Sequence, residues 1–181
     1  MVRINMTDVI TEGVKELGPF WKNSKHEAWF RNTVQAKGKL GTIAYERHLQ
    51  AQGIKTRRIS DEGDLEYYLN GKWLKTEVKA AAASLRELRD GFVNEFCWFN
   101  QIRPAQTGWD EIVLVGFYPN HLRIWKMNRE EFTSRSKSMT SITPGHVGTK
   151  DLIQVKLRKN SRQNNFPEWN CIYNDQQGSL L

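Results

Sequence analysis

The dipeptide Asn70-Gly71 constrains this chain more than any other short feature. It sits between two alternating runs in "DLEYYLNGKWLKTEVKAA", residues 64–81. A two-residue type I′ hairpin turn needs positive φ at both central positions, and Asn-Gly tolerates that pair of angles best. Once the turn is set, the pairing is fixed residue by residue: Leu69 faces Lys72, Tyr68 faces Trp73, Tyr67 faces Leu74 and Glu66 faces Lys75. Asp64 then falls opposite Glu77.

The alternation agrees with this register. Leu65, Tyr67 and Leu69 share a largely apolar face with Leu74, Thr76 and Val78, while Asp64, Glu66, Tyr68, Trp73, Lys75, Glu77 and Lys79 share the other. Glu66 with Lys75 and Tyr68 with Trp73 are favourable cross-strand pairs. Asp64 against Glu77 is not, because opposed residues have Cβ atoms only ~4.5–5.5 Å apart and like charges there repel. A divalent cation would compensate. Two carboxylates, with the Val78 carbonyl as a third oxygen, suit Mg²⁺, which keeps its remaining waters for substrate. Lys79 projects from the same face as Glu77, where an ammonium can orient a water and stabilise charge developing on a phosphoryl oxygen. The plainer alternative is a solvated face on which Lys75 and Lys79 relieve the repulsion through ordinary salt bridges.

Composition narrows the class of protein. With 181 residues, 39% of them hydrophobic and 11% aromatic, a folded α/β chain with its own core is expected, and one domain over 1–181. Lys and Arg exceed Asp and Glu by 27 to 20, a net charge of +7 that makes a polyanion a plausible partner; a merely solvated basic surface is the alternative. Cys97 and Cys171 stand far apart without metal-like pairing, so packing is their expected role. No signal-peptide core opens the chain and no apolar run approaches the ~18–20 residues that cross a bilayer, so a soluble cytoplasmic protein is expected.

Along the chain, residues 7–17 read as a helix ended by Gly18-Pro19, and a second helix runs from Ser24 to about Ala36, with Glu27 completing a capping box. The segment 37–53 reads as a third helix with an apolar stripe of Leu40, Ile43, Ala44 and Ala51, Tyr45 and Leu49 off it and Glu46 on its flank. A strand at Lys55–Ile59 precedes the hairpin, and "AAAASLRELRD" after it reads as a short helix ending at Gly91. "NEFCWFNQIRP" favours a strand for its dense aromatics. "WDEIVLVGFY" and "HLRIWKM" read as two antiparallel strands joined through Pro119-Asn120, and Asn128 caps a short helix. Residues 133–151 read as a long flexible loop, Leu152–Arg158 as a last strand and the tail from Asp175 as disordered. The expected architecture is a central mixed β-sheet flanked by helices.

Asp64 followed on the next strand by Glu77-Val78-Lys79 resembles the PD-(D/E)XK nuclease superfamily, which includes many type II restriction endonucleases. Gly63 stands where the family's pattern has Pro. The resemblance covers residues 40 to about 126 and implies a restriction-endonuclease-like core, with N-terminal helices at about 7–53 and a basic loop-and-strand region at about 128–174. It implies that Asp64 and Glu77 hold Mg²⁺, with Mn²⁺ able to substitute, and that Lys79 positions the nucleophilic water. Glu46 resembles the helix glutamate many members carry, and Gln101 in "WFNQIRP" resembles a glutamine that comes after the lysine strand. A surface charge and a backbone-bonded amide are their plainer readings.

No histidine pair among His26, His48, His121 and His146 has metal-ligand spacing. No nucleophile elbow appears, and "GKLGT" lacks the spacing of a phosphate-binding P-loop. Beside the expected active site, the basic clusters become candidate phosphate and groove contacts: Arg57 and Arg58; Arg103; Arg135, Lys137, His146 and Lys150; Arg158, Lys159 and Arg162. The resemblance implies a DNA endonuclease of restriction-like specificity, acting on double-stranded DNA as a homodimer and paired with a DNA methyltransferase. A Holliday-junction resolvase or repair nuclease is the second reading. A non-catalytic nucleic-acid-binding module is the third.

Overall fold

The computed structural model describes residues 20–59, 63–87, 93–102, 108–136, 153–158 and 170–174. The helix expected at 7–17, the loop beyond Ser136 and the tail from Asp175 lie outside them.

Two helices come first, α1 (Glu27–Phe30) and α2 (Val34–Ala51). The single helix expected over 24–36 is instead broken at Arg31–Thr33, because Thr33 caps α2: its hydroxyl accepts the Ala36 N–H at 3.3 Å. Ser24 makes no capping box; its hydroxyl donates to the Trp21 carbonyl, and the Glu27 carboxylate takes the Asn23 N–H and Arg31. The fully buried residues of α2 are Gly41, Tyr45 and Leu49, spaced by four; of the expected stripe, Leu40 and Ala44 pack partly buried against the core and Ala51 is exposed.

The strands are β1 (Thr56–Arg58), β2 (Leu65–Leu69), β3 (Lys72–Glu87), β4 (Val93–Ile102), β5 (Glu111–Phe117), β6 (Leu122–Asn128), β7 (Ile153–Arg158) and β8 (Asn170–Asn174), with helix α3 (Arg129–Ser136) between β6 and β7. They run β1-β2-β3-β5-β6-β8, and β4 pairs with β3 and β7. β3 and β5 are parallel and the other pairs antiparallel, so the sheet is mixed and flanked by helices, as expected. The hairpin register is the one its turn dictates, from Leu69 opposite Lys72 to Leu65 opposite Thr76, with Asn70 at φ 51° and Gly71 at φ 83°. Glu131 donates its N–H to Asn128 Oδ1 at 2.9 Å, so α3 is capped where expected, although it takes in residues 133–136 of the expected loop. β8 has no counterpart among the expected elements.

One expected helix is a strand. The alanine-rich segment after Lys79 continues β3, which pairs with β5 from Thr76 to Ala82 and with β4 from Ala83 to Glu87. Two sets of ladder hydrogen bonds outweigh the helix propensity of four alanines, worth only a few tenths of a kcal/mol per residue over its neighbours. The alanines also admit a close neighbour. A Cβ on Gly41 would lie 2.5 Å from the Ala80 Cβ, so α2 seats against β3 only because position 41 carries no side chain.

α2 therefore covers the face that carries Tyr67, Val78 and Ala80. On that face Tyr45 meets the Tyr67 ring edge-on, Tyr67 donates its hydroxyl proton to Glu111 Oε2, and Lys126 Nζ lies 3.1 Å from Glu111 Oε1. Burial pushes both tyrosines well above the ordinary phenol range. β4 folds over the opposite face, where Phe99 meets Trp125 edge-on and the Cys97 sulfur would lie 2.9 Å from a Cβ on Gly116. Cys97 is thus a packing residue, as expected.

Ala usually stabilises a helix interior over Gly by ~1 kcal/mol. Gly41→Ala is expected to do the reverse, costing about 1–3 kcal/mol and lowering Tm by roughly 2–4 °C per kcal/mol, while Gly38→Ala, with nothing within 4 Å of its Cβ, stays neutral or gains. Thermal melts of both variants, with Ala80→Gly added to Gly41→Ala, check this; equal effects of the two substitutions would reject the close approach.

Candidate functional site

The site is built where β2 begins and β3 passes it. Asp64 stands one residue before β2 and donates its N–H at 2.9 Å to the carbonyl of Thr76, the residue that pairs with Leu65. Its side chain then turns to the β3 backbone, where Oδ2 accepts the Val78 N–H at 2.8 Å. Both backbone groups of a strand residue leave along the same edge, so the Val78 carbonyl also faces this edge, beyond the last β2 pair.

Glu77 and Lys79 lie on the same face of β3, with Lys79 Nζ 2.5 Å from Glu77 Oε1. Glu77 is buried and Lys79 is partly exposed. Burial raises the Asp64 carboxyl above the ordinary range; the Val78 N–H opposes that, the Glu77 charge adds to it and the Lys79 charge opposes it. The repulsion foreseen from the register is therefore present, and a backbone amide and Lys79 relieve part of it.

Asp64, Glu77, Val78 and Lys79 are thus brought together. Glu46 is engaged elsewhere: its Oε2 lies 2.6 Å from Arg58 Nη2, across α2 and β1. Gln101 lies on β4 between Phe99 and Ile102, where the pairing with β7 shifts register. Arg57 pairs with Glu66 and stacks over Trp73 at 4.3 Å, so both predicted arginines of β1 are held by carboxylates. Arg135 lies in the last turn of α3, and the Arg158 backbone pairs with Phe96. Arg103, Lys137, His146, Lys150, Lys159 and Arg162 lie outside the described residues.

Asp64 and Lys79 line a groove of about 690 Å³ that runs beside Val78–Ala82, with the first half of α2 on one side and Trp98 of β4 among its lining residues. Gln35, Lys37, Lys39 and Thr42 of α2 line it too, and none of these was singled out from the sequence. The helix expected over 37–53 already contained Lys37 and Lys39, but no local signal places its first turns beside Asp64 and Lys79, which lie on other elements. A second cavity, of about 750 Å³, lies around Trp109, Asp110, Arg129 and Thr133.

Among the described residues, no three or more His, Cys, Asp or Glu side chains form a metal-binding group. The two carboxylates and the Val78 carbonyl are nonetheless all oxygen donors, the chemistry that Mg²⁺ requires when it keeps several waters. Asp64 carries a carboxylate that burial and Glu77 disfavour, a situation that a dication on the same oxygens would reverse.

No family model matches the chain, and no curated protein matches it. Among solved structures, the chain is similar to a bacterial homing endonuclease at 16% identity and a TM-score of 0.44, over 76% of this chain and 87% of that one.

Because the folded-state carboxyl of Asp64 is raised, its ionisation opposes folding above the unfolded value, and the favourable contribution of the protonated form is lost as pH rises through the folded value. Asp64→Asn, whose amide oxygen can still accept the Val78 N–H, is expected to raise Tm at pH 7 by a few degrees, with the gain shrinking toward pH 4. Melts of both proteins across that range test it; a gain that grows on acidification contradicts the assignment.

Proposed function

We propose that this chain is a Mg²⁺-dependent DNA endonuclease of the PD-(D/E)XK type. The observation that carries the reading is the convergence of Asp64, Glu77 and Lys79 on one edge of the hairpin, with Asp64 tied to the Val78 N–H at 2.8 Å and Lys79 to Glu77 at 2.5 Å. Two acids and a lysine on a partly open sheet edge, beside a lysine-lined groove, suit hydrolysis of a phosphodiester.

Asp64, Glu77 and the Val78 carbonyl would hold the metal, which when bound supplies charge neutralisation and lowers the pKa of water. Mn²⁺ would take the same oxygen donors. Lys79, next to Glu77 and Asp64, would donate a hydrogen bond to the attacking water or the scissile phosphate and offset the charge that builds on its oxygens. The Val78 N–H holds Asp64 in place before substrate arrives, so the acid does not reorganise during reaction. Glu46 supports the site only through α2, since Arg58 holds its carboxylate.

Restriction-like cleavage of double-stranded DNA by a homodimer, with a companion methyltransferase, is the first specific choice, and branched-DNA or repair cleavage the second. The salt bridge between Lys79 and Glu77 favours one further reading: a nucleic-acid-binding module in which that pair is structural.

Purified protein incubated with supercoiled plasmid, phage DNA and branched substrates in Mg²⁺, beside EDTA and Glu77→Ala controls, tests the reading. Cleavage lost in both controls is expected; DNA binding without cleavage in any arm moves the assignment to the binding module. Lys79→Ala is expected to keep DNA and metal binding while cutting at least a hundredfold more slowly, in the range of about 10²–10⁴ for a lost proton-handling group; near-normal rates would remove Lys79 from the chemistry.

A further inference from the structure

The groove beside Asp64 and Lys79 carries charge that the rest of the described structure leaves uncompensated. Four cations around the hairpin and the α2 face have carboxylate partners: Arg57 has Glu66, Arg58 has Glu46, Lys79 has Glu77 and Lys126 has Glu111. Lys37 and Lys39 have none among the described residues. Lys37 lies 5.5 Å from the Trp29 ring centroid and 4.9 Å from that of Phe30, and burial lowers its pKa without an offsetting anion. Both lysines line the groove, with Asp64 as its one acidic residue among those described.

The rest of the lining is suited to a nucleotide. Trp98 on the β4 side is 43% exposed and lines the groove, with its ring 5.7 Å from that of Phe96. Gln35 and Thr42 offer an amide and a hydroxyl, which can hydrogen-bond a base edge or a sugar. A volume of about 690 Å³ is that of a small-molecule site and matches the size of a nucleotide or two. Ammonium groups spaced along a groove, with an aromatic platform, are the recurring means by which proteins hold a single strand.

We propose that this groove takes a locally unpaired stretch of the substrate strand, with Lys37 and Lys39 on the phosphates next to the one that is cut and Trp98 stacked on an unpaired base. The inference rests on the nuclease reading for the identity of the cut phosphate, and within that reading favours branched-DNA or repair cleavage over restriction-like cleavage by naming the substrate: DNA with a nucleotide out of the stack beside the cleavage point. Lys37, Lys39 and Trp98 are binding residues in this arrangement, and the reacting groups remain Asp64, Glu77 and Lys79. Taking a base out of a duplex costs a few kcal/mol, least where it is already unpaired, so substrates with a bulge, flap or branch are favoured.

Equilibrium binding in EDTA separates this from cleavage. Fluorescence anisotropy would compare a fully paired labelled duplex with the same duplex carrying one unpaired nucleotide, over a range of salt. The unpaired substrate is expected to bind roughly tenfold tighter, as one base stacked on one indole allows. Trp98→Ala should erase that preference and Trp98→Phe keep most of it. Lys37→Ala with Lys39→Ala should lower the salt slope by about 2, one per phosphate contact. Circular dichroism melts confirm that each variant is folded.

Equal affinity for the two substrates, or a salt slope untouched by the double lysine variant, overturns the proposal. The same substrates with Mg²⁺ added separate it from the nuclease reading. Cleavage without a binding preference removes the groove assignment alone. A preference governed by Trp98 and the lysines without cleavage of either substrate keeps the groove and removes the catalytic assignment.

Discussion

β3 is the strand on which the rest of the structure depends, and its parallel pairing with β5 from Thr76 to Ala82 is the constraint that holds it. Its first residues pair with β2 and its last with β4, so three partners share one strand of 16 residues. Where β2 has stopped and β4 has not begun, β3 retains its bonds to β5 while its other edge faces Asp64. A strand edge left open is ordinarily a hazard for aggregation. Here Asp64 occupies the first free N–H, and α2 and Trp98 flank the residues from Lys79 to Ala82.

The same stretch explains why the chain uses small residues there. Ala80 to Ala82 have little side chain to hold a neighbour away, and Gly41 has none, so α2 lies closer to the sheet than a helix with ordinary side chains could. That approach brings the first turns of α2, with Lys37 and Lys39, to the edge of the site. Further along the helix, Tyr45 reaches Tyr67 and is tied through it to Glu111 and Lys126. Small residues therefore position the charged end of α2, and the ring contact of Tyr45 with Tyr67 the other.

Electrostatics and folding pull in opposite directions at Asp64. Burial and Glu77 both disfavour its ionised form, and the Val78 N–H and Lys79 compensate only in part. Such local cost is common where a group is kept for chemistry and not for stability. The pairing of Lys79 with Glu77 has the same double character, since it relieves repulsion and also places the ammonium next to the carboxylates.

The hairpin and its acids were legible in the sequence because they depend on short-range rules. Asn70-Gly71 admits one turn, the turn admits one register, and the register puts Asp64 beside Glu77. β5 and β6 were equally legible, since alternating β-branched and aromatic runs with turn residues between them have few other uses, whereas the β4 segment read as helix or strand and only its dense aromatics favoured the strand. The alanine run, the break at Arg31–Thr33 and the buried face of α2 were not. Tertiary partners decided two of them: β5 and β4 for the alanines, and Ala80 and Tyr67 for the α2 face that presents Gly41 and Tyr45. The break came from Thr33, whose cap competes with the continuous helix that periodicity alone suggests. Local propensity differs by tenths of a kcal/mol per residue, whereas ladder bonds and close packing act together over many residues. By itself the sequence determined which carboxylates meet. Only the tertiary structure decided that Glu46 goes to Arg58, and that Lys37, Lys39 and Trp98 come to the groove, because those contacts join elements that share no local rule.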